Sequence, residues 1–474
     1  MAAPFTKTTQ DSYELIVIGA GSAGFSAAIT AAEQGARVAL IGHGTIGGTC
    51  VNVGCVPSKT MIRAAEALYA ARTAGRFSGI IGNASIEDWA ALIGDKDALV
   101  TDLRQKKYVD LLSEYKEIDY IEGAAILFDG GVQIGDQIVA AERIIIATGS
   151  APAIPEIPGL RDTPYLTSTS ALELKELPQS LIVVGGGYIG CELAQMFARS
   201  GTQVTLATRS KLLPDAEPEI SDALTEHLEA EGIRVKSNLS YSSAAKSKIG
   251  VCLNISTDQG EEALEAEQLL LTTGRKPNIE KLGLKKAGID TLSNGGIFVD
   301  ERMRTSRTGV YAAGDVTGRD LFVYMAAYGA KLAAKNALNS NSQTYDNTTM
   351  PWVVFTDPQI AGVGMSEAQA QAAGFNTKTS IAPLDQVPRA LAARDTRGLI
   401  KLVADADTDR LLGAQILAPE GADSIQTIVL ALKFNMTAKD LGETIFPYLT
   451  TVEGLKLAAQ GFGKDISKLS CCAG

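Results

Sequence analysis

Two cysteines with four residues between them, Cys50 and Cys55, have the clearest capacity for chemistry in this 474-residue chain. They lie in the segment GGTCVNVGCVPSK, where a glycine pair precedes a predicted helix on which the two sulfurs can meet across one turn. A helix N-terminus and the nearby cation of Lys59 are expected to lower thiol pKa values and so favour thiol exchange. The pattern predicts a redox-active cysteine pair rather than a structural disulfide.

A second pair, Cys471 and Cys472, stands close to the end of the sequence. Adjacent cysteines rarely form a disulfide with each other because the intervening peptide strains the bond. Two soft thiolates suit a soft, linearly coordinated metal ion such as Hg(II). The two other cysteines, Cys191 and Cys252, are predicted to be packed core residues.

Two strand–turn–helix segments carry the spacing G-x-G-x-x-G. The first follows the strand YELIVIG and the second follows LIVV at 181–184. In such turns, backbone N–H groups and a helix N-terminus face a pyrophosphate. The glycines that define the two turns are Gly19, Gly21 and Gly24 in the first, and Gly185, Gly187 and Gly190 in the second. Two complete units predict that one chain binds two dinucleotides.

The residue that ends the second strand of such a unit normally accepts hydrogen bonds from a ribose. In the first unit Gly42 stands where an acid is expected, and His43 follows it. In the second unit the sequence is TRSK, and a cation at this position favours the 2′-phosphate of NADPH. NADPH is therefore predicted, with Arg209 as the main contact and Lys211 as a second candidate.

The composition narrows the class of partner. The formal net charge is −11 and the chain has no basic run, which disfavours nucleic acid and anionic lipid as partners. No apolar run reaches the roughly 18–20 residues that span a membrane, so stable membrane insertion is not expected. The first residues lack a secretory signal pattern, and the chain is expected in the cytoplasm, where thiols stay reduced.

The order of GAGSAG, GGTCVNVGCVPSK, ATGS, GGGYIG, TTGRKPN and AAGDVTG resembles the pyridine nucleotide–disulfide oxidoreductase family across nearly the whole chain. Within that family, CVNVGCVPSK, FPYLTTVEGLKLAAQ and the terminal Cys-Cys resemble the members that reduce mercuric ion. Those members often carry an N-terminal metal-binding domain, and this chain corresponds to their catalytic core.

The resemblance implies an α/β fold with two Rossmann-like dinucleotide-binding domains and a C-terminal α+β dimerisation domain. Residues 12–157 and 275–345 are expected to form the FAD-binding domain, 158–274 the NADPH-binding domain, and 346–474 the dimerisation domain with its Cys-Cys tail. The partners implied are a second copy, with which the active site is shared, and Hg(II)–thiol complexes.

The resemblance also assigns cofactor-binding residues. Those expected at FAD are Gly19, Gly21, Gly24, Gly44, Thr49, Lys59, Ala125, Asp315 and Val323. Those expected at NADPH are Gly185, Gly187, Tyr188, Gly190, Arg209 and Gly274, and Tyr188 resembles the residue that covers the flavin until the nicotinamide displaces it.

Catalytic roles follow in the same way. Cys55 is expected to exchange electrons with the flavin, Cys50 to be the outer, attacking thiol, and Lys59 to pair with Glu192. The tail of the partner subunit is expected to capture Hg(II) and pass it on. The residues expected to bind the metal ion are Cys50, Cys55, Cys471 and Cys472, flanked by Tyr108 and Tyr448.

The segment FPYLTTVE distinguishes the reduction of an organic disulfide from the reduction of a metal ion. Members that reduce organic disulfides have a histidine where Tyr448 stands and a glutamate at the position of Glu453, and the histidine moves the proton. The only histidines of this chain, His43 and His227, are distant in sequence. The prediction is therefore NADPH-dependent reduction of Hg(II) to Hg(0) through FAD and the cysteine pair. The alternatives are a disulfide reductase with an unusual acid, a mercury-sequestering protein, and a peroxide-forming NADPH oxidase.

Overall fold

The computed structural model describes residues 13–128 and 131–468. Cys471 and Cys472 therefore lie outside the described residues. Among the residues that are described, no helix combines the length and the apolar character needed to cross a membrane.

The chain alternates strands and helices through most of its length. The helices are α1 Ser22–Ala32, α2 Gly48–Asn52, α3 Cys55–Arg72, α4 Trp89–Arg104, α5 Asp110–Glu114, α6 Ser168–Ala171, α7 Tyr188–Ser200, α8 Pro218–Ala230, α9 Val323–Leu338, α10 Glu367–Ala372, α11 Pro388–Ala393, α12 Gly421–Lys433, α13 Ala438–Glu443 and α14 Glu453–Gln460. A π-helical turn, Gln105–Val109, joins α4 to α5. Short 3₁₀ turns are Ala74–Arg76, Leu160–Asp162, Asp315–Thr317, Leu384–Gln386 and Ile466–Lys468.

The strands belong to six sheets. They are β1 Leu15–Ile18, β2 Val38–Gly42, β3 Ile118–Glu122, β4 Ala125–Phe128, β5 Gly131–Ile134, β6 Gln137–Val139, β7 Ile144–Ile146, β8 Ser150–Pro152, β9 Leu166–Thr167, β10 Ser180–Val184, β11 Gln203–Ala207, β12 Arg234–Lys236, β13 Ser240–Lys246, β14 Val251–Thr257, β15 Gly260–Ala266, β16 Gln268–Leu271, β17 Arg275–Pro277, β18 Val310–Ala312, β19 Trp352–Val354, β20 Gln359–Gly364, β21 Thr377–Pro383, β22 Leu399–Asp405 and β23 Leu411–Ala418.

The first of two compact units contains the described residues up to Thr60, those of Ala90–Ala153, and Gly274–Asp346. Its main sheet is parallel and has the order β18-β7-β1-β2-β3. The strand LIVI of β1 is buried throughout, as expected for a central parallel strand covered on both faces. The turn after β1 and the end of β2 therefore reach the same edge of the sheet, where ligands of such folds bind.

The second unit contains Met61–Trp89, Ile154–Thr273 and the described residues from Asn347 onward. It holds a parallel sheet, β12-β11-β10-β16-β9, an antiparallel sheet, β13-β14-β15, and the five-stranded antiparallel sheet β19-β20-β23-β22-β21. The predicted fold class, with two Rossmann-like sheets and a C-terminal α+β part, is confirmed. The predicted three-domain boundaries remain a prediction.

The prediction that Cys191 and Cys252 are packed core residues is confirmed for Cys191 alone. Cys191 in α7 is fully buried. On β14, Val251, Leu253 and Ile255 are buried, whereas Cys252 alternates to the other face and is half-exposed. The prediction for Cys252 was wrong because one face of this antiparallel strand is solvated.

Buried ion pairs connect the sheets of the second unit. The ammonium of Lys401, on β22, is only 2% exposed and donates to Glu217 at 3.1 Å, Glu219 at 2.9 Å and Glu367 at 3.0 Å. A second buried cation, Arg199 on α7, is paired with Asp357 at 2.8 Å. The bonds of Lys401 to Glu217 and Glu219, and that of Arg199 to Asp357, join residues of 154–273 to residues of 347–474 within this unit.

Candidate active site

The first glycine turn has little room for side chains. A Cβ on Gly19 would lie 2.2 Å from the carbonyl oxygen of Ala147, and a Cβ on Gly24 would lie 1.6 Å from that of Gly19. At Gly21, which caps α1 without a side-chain hydrogen bond, the nearest atom is 3.4 Å away. The first and third glycines thus close the turn, and the second leaves its backbone open to an anion at the helix N-terminus.

The second turn repeats this geometry in the other unit. A Cβ on Gly185 would lie 2.6 Å from the carbonyl oxygen of Thr272, and one on Gly190 would lie 1.9 Å from that of Gly185. No atom lies within 4 Å of a Cβ built on Gly187. Both turns therefore have the cradle that fits the pyrophosphate of a dinucleotide.

The cysteine pair lies on two helices rather than on one. Cys50 is inside the short α2, and Cys55 is the first residue of α3. The helix is interrupted between them, at Val53 and Gly54. A Cβ on Gly54 would lie 2.9 Å from the carbonyl oxygen of Thr49, so glycine permits this break. The predicted single helix is wrong, although both thiols remain close enough to interact.

The Cys50 thiol has a raised pKa. The largest cause is its hydrogen bond with Cys55, and burial and the charge of Cys55 act in the same direction, while the cation of Lys59 opposes them. The expected lowering is therefore wrong for Cys50, because the second thiol of a close pair resists ionisation once the first is charged. The two thiols are therefore expected to titrate as a pair rather than independently.

The cysteine segment is attached directly to the first glycine turn. The Gly47 N–H donates to the Ala20 carbonyl at 2.8 Å, and Gly47 forms a parallel bridge with Gly21. A Cβ on Gly48 would lie 2.6 Å from the Cα of Gly21. The backbone before Cys50 thus packs on the turn that faces the dinucleotide.

Tyr108 faces the same pair from the π-helical turn. Its hydroxyl is 3.2 Å from the Oγ of Ser22, and its ring meets the ring of Phe25 edge-on at 4.9 Å. Burial raises the pKa of Tyr108, the hydrogen bond with Ser22 lowers it, and the charges of Cys50 and Cys55 raise it further. The phenol is therefore neutral near pH 7 and able to donate beside the sulfurs, and π-helical turns are frequent at such sites.

A half-buried cation that the sequence analysis did not assign, Arg275, belongs to the same unit. Arg275 donates to the Oγ of Ser150 at 2.7 Å, and Ser150 donates to Asp315 at 2.6 Å. Burial lowers the pKa of Arg275, while Asp315 and Cys55 oppose that shift. The sequence signal that could have identified Arg275 is its position directly after Gly274 in the motif TTGRKPN. Ser22 could have been identified in the same way from its position inside GAGSAG.

Other residues expected at the flavin belong to the first unit as well. Gly44 has a positive φ and open space around it, Thr49 is exposed, Ala125 is buried at the start of β4, and Val323 begins α9. Gly274 also has a positive φ and open space. The structure thus brings Cys50, Cys55, Lys59 and Tyr108 into one unit with the first glycine turn.

The second unit holds the residues expected at NADPH other than Gly274, which begins the last segment of the first unit. The ring of Tyr188 stacks on Trp352 at 5.6 Å, and burial raises its pKa to about 12. Glu192 is buried and accepts a hydrogen bond from the backbone of Phe355 at 2.9 Å. Arg209 is exposed directly after β11, and its charge partly offsets the burial that raises the pKa of Tyr241 to about 12.

The segment that carries Tyr448 is shaped by a buried carboxylate. Tyr448 is 51% exposed, and the following residue, Leu449, has φ of 60°. The Leu449 N–H donates to the buried Glu453 at 3.1 Å, which holds this unusual backbone in place. Glu453 therefore fixes the loop that presents the phenol to solvent.

Comparisons with known proteins agree with this architecture. The family model described as pyridine nucleotide-disulphide oxidoreductase matches residues 13–339, and the model of that family's dimerisation domain matches residues 350–459. The mercuric reductase of Staphylococcus aureus is 47% identical over 464 residues, which are 98% of this chain and 84% of that protein. The mercuric reductase of Streptomyces lividans is 45% identical over 468 residues, 98% of each chain.

A solved structure extends the likeness to three dimensions. The HOCl-induced flavoprotein disulfide reductase RclA from Escherichia coli, determined as a Cu(II) complex, is similar with a TM-score of 0.84 and 30% identity. The similarity covers 95% of this chain and 99% of that one. The resemblance inferred from the motifs is confirmed: this chain belongs to the pyridine nucleotide-disulphide oxidoreductase family.

Proposed function

We propose that this protein uses NADPH to reduce Hg(II) to Hg(0) through FAD and the Cys50–Cys55 pair. The observation that carries the proposal is the attachment of the cysteine segment to the first dinucleotide turn, through Gly47 and Ala20. The identity of 45–47% with two mercuric reductases over nearly the whole chain supports Hg(II) as the substrate.

The two glycine turns divide the cofactors between them. The Gly185–Gly190 turn and Arg209 would hold NADPH, and the Gly19–Gly24 turn, Asp315 and Lys59 would hold FAD. When bound, these groups would supply a hydride and pass its electron pair to the ion that the cysteine pair holds.

The sulfurs of Cys50 and Cys55 bind Hg(II) by displacing the thiols that carried it. Soft thiolates and linear coordination suit this ion, so two sulfur ligands are sufficient. Within the described ranges, no group of three or more His, Cys, Asp and Glu side chains forms a metal site. The ion accepts two electrons and becomes Hg(0), the two cysteine sulfurs keep their electron pairs, and both Hg–S bonds break.

This reaction needs no proton on a leaving thiol, in contrast to the reduction of an organic disulfide. A histidine at the position of Tyr448 is therefore dispensable, and a neutral phenol at Tyr108 can donate to a thiolate that the metal releases. The hydrogen bond with Cys55 and burial raise the pKa of Cys50, and the cation of Lys59 opposes that rise and so favours the thiolate that binds the metal.

The match of residues 350–459 to the family's dimerisation domain supports a homodimer. We place Tyr448, Cys471 and Cys472 of one copy at the Cys50–Cys55 pair of the other, with the terminal cysteines capturing Hg(II) first. The reaction needs reduced thiols, so its compartment is the cytoplasm.

An anaerobic titration tests the function. NADPH is added to the flavin-loaded protein with an Hg(II)–thiol complex, while flavin absorbance and volatile mercury are recorded. The expected result is one Hg(0) released for each NADPH consumed. Oxidation of NADPH by an organic disulfide without any effect of Hg(II), binding of Hg(II) without turnover, or peroxide as the product in air would each contradict the proposal.

The variant Arg209→Glu is expected to lower kcat/KM for NADPH by about 10- to 100-fold, because a charge-assisted contact to the 2′-phosphate is lost and an acid replaces it. The value for NADH should change far less. Lys211→Ala is the matched control: its ammonium donates to the Ala216 carbonyl at 3.3 Å, so a smaller loss is expected. Steady-state rates with both nucleotides measure the effect, and equal losses for NADPH and NADH would contradict the assignment of Arg209.

A further inference from the structure

Gly42 stands where an acidic residue is expected, and the neighbouring strand carries an acidic residue beside it. Parallel strands β2 and β3 pair with Gly42 opposite Glu122, at the edge of the sheet where β1 ends and the first glycine turn begins. Paired residues of parallel strands point to the same face, and neighbouring strands are about 4.8 Å apart. Glu122 therefore offers a carboxylate one strand away from the place where the family's acid would stand.

The space above Gly42 is already filled by Tyr120. A Cβ built on Gly42 would lie 2.5 Å from the Tyr120 hydroxyl oxygen and 2.7 Å from its Cε2. No side chain can begin at residue 42 while this tyrosine keeps its position. Gly42 and Tyr120 are therefore a matched pair, and the loss of the acid on β2 is coupled to a residue on β3.

The side chains of Tyr120 and Glu122 on β3 have unused hydrogen-bonding capacity. Among the residues that the structure describes, neither the Tyr120 hydroxyl nor the Glu122 carboxylate makes a hydrogen bond or ion pair. Tyr120 is half-buried and Glu122 is exposed. Burial raises the pKa of Tyr120, and the charge of Glu122 raises it further, which places the two groups near each other.

We propose that Glu122 accepts hydrogen bonds from the adenosine ribose of the FAD held by the Gly19–Gly24 turn, with the Tyr120 hydroxyl lining the same spot. Ribose recognition has thus moved from the end of β2 to the end of β3. A carboxylate suits this role because both ribose hydroxyls are donors. The inference rests on the proposed function, which assigns FAD to the first turn.

The full chain, stripped of flavin and refilled, provides the test. Quenching of flavin fluorescence gives the dissociation constant for FAD and for an FAD analogue without the adenosine 2′- and 3′-hydroxyls. Glu122→Gln is expected to weaken FAD binding by about 10- to 100-fold. Wild-type protein should bind the analogue more weakly than FAD by a similar factor, and Glu122→Gln should bind both about equally.

Glu117→Gln is the matched control, because Glu117 is exposed just before β3 and its change alters the net charge equally. It should leave both dissociation constants unchanged. The inference is overturned if Glu122→Gln keeps the wild-type preference for FAD over the analogue, or if His43→Ala removes that preference instead. A wild-type chain that does not bind FAD at all would overturn the proposed function as well, so the two failures are distinguishable.

Discussion

The variant Cys50→Ala is expected to lose Hg(II)-driven NADPH oxidation by about 10³-fold or more while it keeps its flavin. Cys50 and Cys55 interact directly through a hydrogen bond, and one sulfur cannot supply both ligands of a linearly bound ion. The flavin is held separately, by a turn whose geometry depends on Gly19 and Gly24. Volatile mercury, NADPH oxidation and the flavin absorbance of the purified protein measure the three effects.

Cys252→Ala is the appropriate control for this loss. Cys252 is a half-exposed thiol on β14 in the other unit, and its sulfur makes a weak contact with Asn254 at 3.8 Å. Its replacement should leave the rate unchanged. Release of Hg(0) by Cys50→Ala at more than a tenth of the wild-type rate would show that the pair is not the site of reduction.

The variant Lys401→Met is expected to destabilise the protein by about 3–5 kcal/mol, since removal of one partner of a buried ion pair leaves the other charge uncompensated. Glu217 is 3% exposed and would lose its cation, whereas methionine fills the volume of the lysine stem. Denaturant unfolding followed by circular dichroism measures the change. The double variant Lys401→Met with Glu217→Gln should recover part of the loss.

The stabilisation by Lys401 is expected to depend on pH. Burial lowers the pKa of Lys401, but the hydrogen bonds that its ammonium donates to Glu219, Glu367 and Glu217 raise it overall, so its contribution is fully present at neutral pH. Burial raises the pKa of Glu219, but its backbone hydrogen bond and Lys401 outweigh burial, so the pKa is lowered overall. The contribution of Glu219 to stability is therefore lost as the pH falls below about 4.5. The difference between wild type and Lys401→Met should therefore shrink in acid. Lys439→Ala, in an exposed pair, should cost under about 1 kcal/mol, and an equal effect of the two variants would contradict the prediction.

Residues whose role depends on local spacing were predicted well. The glycines of both turns follow a buried strand and precede a helix, and the structure gives both turns the same steric pattern. The parallel sheets follow from the same short runs of apolar residues. The position of Tyr448 relative to Glu453 is also local, and a hydrogen bond to the backbone of Leu449 connects them.

Residues whose role depends on contacts across the fold were missed or misjudged. Arg275 is near Cys55 and Asp315 only because β17 pairs with β8. The pKa of Cys50 is raised by its partner thiol and by burial, which outweigh the backbone hydrogen bond of Cys55 and the charge of Lys59. Cys252 was taken for a core residue because alternation along a strand does not reveal which face is solvated.

The sequence by itself determined the cysteine pair, the two dinucleotide turns and the family, because these depend on residue types at fixed spacing along one stretch of chain. The tertiary structure decided the environment of those groups. It packed the cysteine segment on the first glycine turn, placed Tyr108 beside the sulfurs, and set Tyr120 and Glu122 next to the glycine where an acid was expected. Charge, burial and strand register act between residues that are distant in sequence, so only the folded chain specifies them.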